Sequence, residues 1–456
     1  MDIFALIPQF GGLIWTIAAF VLALSVIVAI HEYGHYIVGR WSGIHADVFS
    51  LGFGPVIYAR VDKHGTKWQV ALLPFGGYVK FAGDANAASG KDEEAMAEVQ
   101  DDPARLRSTM HGAPLWARTA TVAAGPIFNF ALSILVFSAV ILTGGVSKDP
   151  LTVGELRPLP VASDLGSDAN WLRSGDEIIS VNGAVLPSAD DAVAYDAFIE
   201  ALPSDPSLEY LVRRDGSEVS VQGPFLLPPV VVGVSPQSAS MSAGIETGDV
   251  ITAIDGAAIY AFRQLKNAVE GGNGATLDLS IWRDGDTLDI GLTPKRVDEP
   301  LPEGGFQTQW RIGIMGGVAF DPATESPGVV DALSSGVAQT WRIITGSLSG
   351  LGHMITGAIS TCNLSGPIGI AQTSGEMASQ GAENFIWFIA VLSTAVGLLN
   401  LFPVPALDGG HLVFYAYEAV SGKPPSDKAL RVLMTFGLAT VLTLMVFALG
   451  NDLFCP

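Results

Sequence analysis

The sequence predicts a polytopic α-helical membrane protein, with four transmembrane helices and two β-rich domains inserted on the extracytoplasmic side. Three observations carry this prediction. The 456 residues are 49% hydrophobic and only 15% charged, with a mean hydropathy of +0.40, a balance unlike that of soluble globular or disordered chains. Four predominantly apolar stretches contain no charged residue and reach the roughly 20 residues that a bilayer crossing takes: Ile3 to Ile30, Thr119 to Ser147, Asn384 to Leu407 and Val432 to Asn451. Between the second and third of them lies a long acidic segment with an internal repeat.

The first span has no basic region before it and no small-residue cleavage site after it, so it is expected to stay as an anchor. Lys and Arg near the span ends set the orientation. None precedes the first span, whereas Arg40, Arg60, Lys63, Lys67, Lys80, Lys91, Arg105, Arg107 and Arg118 lie between the first and second. That loop is expected in the cytoplasm. Lys423, Lys428 and Arg431 repeat the signal between the third and fourth spans, which leaves both chain ends outside. The segment 145–384 holds 30 acidic and 12 basic residues, so most of the net charge of −21 sits in one outer loop. Such a balance repels phosphate backbones and excludes nucleic acid as a partner class. The two cysteines, Cys362 and Cys455, provide neither a disulfide framework nor a cysteine zinc ribbon, so any metal must be held by His and carboxylate.

The outer loop repeats itself. Leu172-Arg-Ser-Gly-Asp-Glu-Ile-Ile-Ser-Val-Asn-Gly183 aligns with Ile245-Glu-Thr-Gly-Asp-Val-Ile-Thr-Ala-Ile-Asp-Gly256 at an offset of 73 residues, and Arg213-Arg-Asp-Gly216 is echoed by Trp282-Arg-Asp-Gly285. Each copy reads as a Gly-Asp turn, an alternating strand and an Asn-Gly or Asp-Gly hairpin turn. With a helix after the second copy at Phe262 to Val269, the pattern resembles PDZ domains, which take peptides by strand addition. Filtering by bulk is the other role open to the pair.

The first span runs directly into His31-Glu32-Tyr33-Gly34-His35, an H-E-x-x-H pentad. On a helix the two imidazoles lie one turn apart on one face and can share a cation, while Glu32 stays near enough to act on water. Zn2+ in such a site acidifies water, and the Glu can take and return the proton. A chance pentad on a solvated helix is the bland alternative. This one continues an apolar span, where ionisable residues are costly and mark function.

A hydrolytic zinc usually takes a third protein ligand. His45, His64, His111 and His353 fall in loops or interfacial stretches. The remaining candidates end the third span, Asn400-Leu-Phe-Pro-Val-Pro-Ala-Leu-Asp-Gly-Gly-His411, where Pro403, Pro405 and two glycines break a membrane helix. Such breaks are tolerated at membrane depth when they line a polar cavity. The orientation puts Asp408 and the pentad near the same side, with His411 as a competing ligand.

These motifs together resemble the site-2 protease family of intramembrane zinc metalloproteases, and within it the bacterial regulator of sigma-E protease type. The likeness also takes in Gly125-Pro126-x-x-Asn129, Pro74-Phe-Gly-Gly-Tyr78 and Leu364-Ser-Gly-Pro-Ile368, and covers essentially the whole chain. It implies Glu32 as the catalytic base, His31, His35 and Asp408 as zinc ligands, and Asn400 as a substrate-binding residue, with Pro403 and Pro405 beside it. It also implies cleavage of single-pass transmembrane proteins trimmed on the outer side, an anti-sigma factor and remnant signal peptides among them, in the bacterial inner membrane. The PDZ-like pair would then face the periplasm and the active site the cytoplasm. A non-catalytic PDZ membrane scaffold is the competing class, but it has no need of an intact His31, Glu32, His35 and Asp408.

A transmembrane substrate must be unwound before its peptide bond can be reached. In the first loop, Val56 to Arg60 and Lys67 to Leu73 flank Asp62-Lys-His-Gly-Thr66, a predicted hairpin whose free edge could pair with the unwound chain. Gln69, Val70 and Ala71 are the residues expected at that edge. Further along, Trp341, Ile344, Leu348, Leu351 and Ile355 predict an amphipathic helix resting on the spans or the outer leaflet. The acidic stretch Asp92 to Asp102 reads as a solvated loop. The expected organisation is therefore residues 1–40 for the first span, 41–112 for the cytoplasmic loop, 113–147 for the second span, and 148–225 and 226–320 for the PDZ-like copies. Residues 321–382 form the amphipathic region, 383–425 the third span with its Leu-Asp-Gly turn, and 426–456 the fourth span.

Overall fold

A computed structural model describes residues 7–85, 90–160, 170–188, 191–301 and 305–455. The chain divides into a unit of residues 1–140 with 329–456 and a unit of residues 141–328. The opening residues of the predicted first span, 1–6, lie outside the described residues.

The first unit carries α1 (Ile7–Trp41), α2 (Leu115–Gly144), α3 (Val329–Ile355), α4 (Pro367–Ser379), α5 (Ala382–Asn400), α6 (Asp408–Ser421) and α7 (Asp427–Phe454). Among the described residues four helices are long and apolar enough to cross a membrane, α1, α2, α5 and α7, as the sequence predicts. Glycines let them approach closely, as lipid-embedded helices require. A Cβ at Gly34 would lie 2.6 Å from the Ala124 carbonyl oxygen of α2, and one at Gly375 would lie 2.4 Å from Thr16 Oγ1 of α1. In α3 the small residues Ala332, Gly336 and Thr340 are buried, whereas Trp341, Leu348 and Ile355 stay exposed as an apolar face. The acidic stretch is not merely a loop: Glu93–Val99 is helical because the Asp92 side chain caps it by accepting the Ala95 N–H.

Cys362 and Cys455 form a disulfide across 93 residues of sequence. Two cysteines far apart in sequence carry no pairing signal, so only the fold could bring them together. Beside the disulfide, Asp452 accepts the N–H groups of Gly366 and Ile368 at 2.7 and 2.9 Å, satisfying the start of α4.

The loop after α1 forms β1 (Ala46–Val61) and β2 (Lys67–Phe81). Each strand doubles back on itself. Residues 67–70 pair with both 48–51 and 58–61, and 77–81 pair with 46–51. The spatial order is thus 56–61, 67–71, 46–51, 77–81, which makes 77–81 an edge.

In the second unit the repeat is realised as two four-stranded sheets of one topology. The first orders Ala184–Val185, Glu177–Val181, Ser207–Arg214 and Ser217–Pro224, and the second Ala257–Ala258, Val250–Ile254, Leu277–Arg283 and Asp286–Leu292. The repeated residues do the same work in each. Asp176 and Asp249 are buried and pair with Arg214 and Arg283, at 2.7 and 2.6 Å. Asn182 and Asp255 take positive φ before glycine and accept the N–H groups of Glu209 and Asp278. The segment after the second copy serves both: Ile314–Gly316 pairs with Val231–Val234, and Phe320–Pro322 pairs with Val153–Leu156. Phe320 is fully buried in the first copy's core. The copies are therefore not two independent runs of chain, since the first is completed from beyond the second.

Candidate active site

α1 continues unbroken through the pentad, so His31 and His35 stand one turn apart on its inward face. Opposite them α5 stops at Asn400, and residues 401–407 turn the chain back into α6, whose first residue is Asp408. The turn is tight enough to require glycine after it. A Cβ at Gly409 would lie 2.3 Å from the carbonyl oxygens of Leu401 and Phe402, and one at Gly410 would lie 2.3 Å from that of Val404.

His31 Nε2 lies 3.1 Å from His35 Nε2 and 3.1 Å from Asp408 Oδ2, and His35 Nε2 lies 3.4 Å from the same oxygen. A tetrahedral ion with bonds of about 2.0–2.1 Å spaces its ligands about 3.3–3.4 Å apart. The three atoms therefore already sit at ligand spacing. Asp408 Oδ2 is buried against the two imidazole Nε2 atoms, as suits an oxygen placed to share a cation with them. Among the described residues this is the group of His, Cys, Asp and Glu side chains that could hold a metal ion. His411 lines the same cavity without joining the group.

The cavity is about 240 Å³ and is lined by His31, Glu32, His35, Tyr78, Asn400 and Asp408 among others. The edge strand 77–81 forms one wall, through Gly77, Tyr78, Val79 and Phe81, beside Glu32. Gly77 is required there, since a Cβ would lie 2.8 Å from the Ser50 carbonyl oxygen. Past the strand, Asp84 Oδ2 accepts the Phe81 N–H at 3.1 Å, and Oδ1 lies 3.1 Å from His111 Nε2. Burial pushes the Asp84 carboxyl up from its ordinary range, against the pull of His111.

The structure places Gln69, Val70 and Ala71 away from the free edge expected of them. Gln69 pairs with Ser50 and Ala59, Val70 with Leu51 and Tyr58, and Ala71 with Val56. They belong to an inner strand, because β1 folds across both halves of β2, a fold-back that hairpin patterning does not register. The free edge beside Glu32 is 77–81 instead. Asn400 lines the cavity and donates to the Val396 carbonyl at 3.1 Å. Pro405 packs under Gly410 and Gly437, and Pro403 lies in the turn. The stripe Thr121, Gly125 and Asn129 of α2, to which spacing and composition assign no role, backs both imidazoles. Its one signal was the Gly-Pro-x-x-Asn run.

Spans that bring two histidines and a carboxylate to metal-ligand spacing, with a glutamate beside them, define a membrane-embedded metallohydrolase. The family model described as Peptidase family M50 matches residues 19–444. The chain belongs to that family and is a zinc metallopeptidase of the site-2 protease type. It is 35% identical over 440 residues to a protein of Rhizobium meliloti (strain 1021) that carries a zinc metalloprotease name, with 96% of each chain covered. A similarly named protein of Agrobacterium fabrum is 34% identical over 449 residues, covering 97% of each. The regulator of sigma-E protease of Salmonella typhimurium is 31% identical over 469 residues, covering 97% of this chain and 99% of its own.

Proposed function

We propose that this peptidase cuts within or beside the transmembrane segment of single-pass membrane proteins that have already lost their outer domain. The observation that carries the reading is the position of the site: His31, Glu32 and His35 lie in the C-terminal third of an apolar helix, and Asp408 at a break in the chain following another. His31, His35 and Asp408 would hold a zinc ion, which would supply Lewis acidity toward the scissile carbonyl and the attacking water. Glu32 takes the proton of the attacking water and hands it to the leaving amine. The edge 77–81 offers main-chain N–H and C=O groups to an unwound substrate, which holds its scissile bond beside Glu32. Asn400, with Pro403 and Pro405 shaping its turn, binds the substrate on the opposite wall.

The two repeated domains are read as PDZ-like and periplasmic, admitting trimmed substrates, with the active site on the cytoplasmic side of the inner membrane. The distribution of Lys and Arg supports this orientation. So does the disulfide, which needs an oxidising compartment at Cys362 and Cys455. The Salmonella relative is named for sigma-E regulation, and an anti-sigma factor is the substrate class inferred from it here.

The test is cleavage of a purified single-pass substrate with a short outer stub by detergent-solubilised wild type and Glu32→Gln, with zinc measured on both. The expected result is that wild type cuts, that the variant does not, and that both hold about one zinc. A Glu32→Gln protein that cuts at the wild-type rate removes Glu32 from the chemistry.

A further inference from the structure

The two imidazoles differ in how their far nitrogens are held. His35 Nδ1 lies 2.8 Å from the Thr121 carbonyl oxygen. A carbonyl only accepts, so Nδ1 carries the proton and Nε2 is left with its lone pair facing Asp408. His31 presents Nε2 to the same cluster, and its Nδ1 lies 3.2 Å from the side-chain amide of Asn129. For Nε2 of His31 to be a ligand, Nδ1 must be protonated and needs an acceptor. The Asn129 amide holds one, since its oxygen and nitrogen are isosteric and a turn about χ2 exchanges them. With the nitrogen toward His31, Asn129 Oδ1 is buried and makes no hydrogen bond, although the residue is fully enclosed.

We propose that Asn129 is a positioning residue of the metal site, accepting the Nδ1–H of His31 through Oδ1 and so fixing the tautomer that turns Nε2 toward the cation. The inference rests on the ligand set His31, His35 and Asp408. The surroundings hold Asn129 for this task. Its main-chain carbonyl accepts hydrogen bonds from Ser133 Oγ and Ser393 Oγ, both at 3.0 Å, and Gly397 leaves its Cβ room. Thr121 and Asn129 lie two turns apart on α2, His31 and His35 one turn apart on α1, and Gly125 between them leaves space for both rings. Each imidazole thereby receives its own acceptor from one face of one helix.

The test uses the full chain in detergent and reads zinc affinity by chelator competition for wild type, Asn129→Leu and Asn129→Asp, with thermal unfolding in chelator as the check on folding. Leucine keeps the bulk and removes the acceptor, so affinity is expected to fall about 10–100-fold. Aspartate keeps the acceptor and is expected to bind zinc at least as tightly as wild type. The proposal is overturned if the leucine variant binds zinc like wild type, or if aspartate weakens binding as much as leucine does, which would make the amide nitrogen the working atom. Should the leucine variant fail to fold, the 15N resonances of His31 in zinc-loaded wild type decide, and an unprotonated Nδ1 overturns the proposal. Zinc retained by Asp408→Ala would instead remove the ligand set itself, an outcome distinct from any of these.

Discussion

Gly125→Ala is the most telling single change, because it adds one methyl group where the ligands stand. A Cβ there would lie 2.4 Å from His35 Nε2, 2.5 Å from His35 Cε1 and 2.8 Å from His31 Cε1. Ordinary contact begins near 3.4 Å, so the His35 ring must move by about 1 Å, several times the ±0.2 Å that a zinc–ligand bond tolerates. A displacement of that size costs about 100-fold in rate, or about 2.7 kcal/mol of transition-state stabilisation. Zinc affinity should fall with it. Stability in the absence of metal should move the other way or not at all, because alanine exceeds glycine in helix propensity by about 0.8–1 kcal/mol and the ring can swing into the cavity. The assay is zinc content, thermal unfolding with and without chelator, and cleavage of a single-pass substrate by the same preparations. A variant that keeps wild-type zinc and cleavage would refute the placement of α2 behind the two histidines. A variant unstable even in chelator would show that the methyl group disturbs packing, not ligation.

The hairpin turn gives a pH test. Trp68 and Tyr36 donate to Asp62 Oδ2, and the His64 and Thr66 N–H groups donate to Oδ1. Against the opposing effect of burial, these bonds hold its carboxyl at about 2. The folded value lies below the unfolded value of about 3.9, so the stabilisation is present above pH 4 and is lost as pH falls through about 2. The difference in melting temperature between wild type and Asp62→Asn should therefore shrink between pH 5 and pH 3, and a constant difference would contradict this. The disulfide gives a test of sidedness: after mild reduction, a membrane-impermeant maleimide added to spheroplasts should label Cys362 and Cys455, and labelling only after lysis would reverse the orientation. Reduction should also lower the melting temperature, with about 4–5 kcal/mol as the upper limit for a closed loop of 93 residues, reached only if the unfolded chain is free of the membrane.

The parts of the site carried by one helix were legible in the sequence, and those carried by a meeting of segments were not. His31 and His35 share a helical face by spacing alone and Glu32 stands next to it, so the expected chemistry follows from five residues and the apolar run before them. Asp408 was reachable only as one of two candidates, Asp408 or His411, until the resemblance chose between them. What separates the two is the turn at 401–407, which places the first residue of α6 at the cluster and leaves His411, three residues on, at the cavity wall. The prolines and glycines announced a break without giving its direction. That direction is set by close backbone approaches at Gly409 and Gly410, and propensity and periodicity do not record such contacts.

Strand patterning failed at Gln69 to Ala71 for a related reason. Alternation in Lys67–Leu73 identifies a strand correctly, but whether a strand is inner or edge depends on what else pairs with it. Here residues 46–51 enter between the two halves of β2 and take the side that a simple hairpin would leave open. The consequence reaches the chemistry. Because 46–51 occupies one side of 77–81 as well, the remaining edge of 77–81 faces Glu32, with Gly77 thin enough to let the strand close on the helix. Pro74-Phe-Gly-Gly-Tyr78, in the sequence only part of a likeness, thus leads into a strand that pairs with 46–51 on one side and turns its free edge toward Glu32.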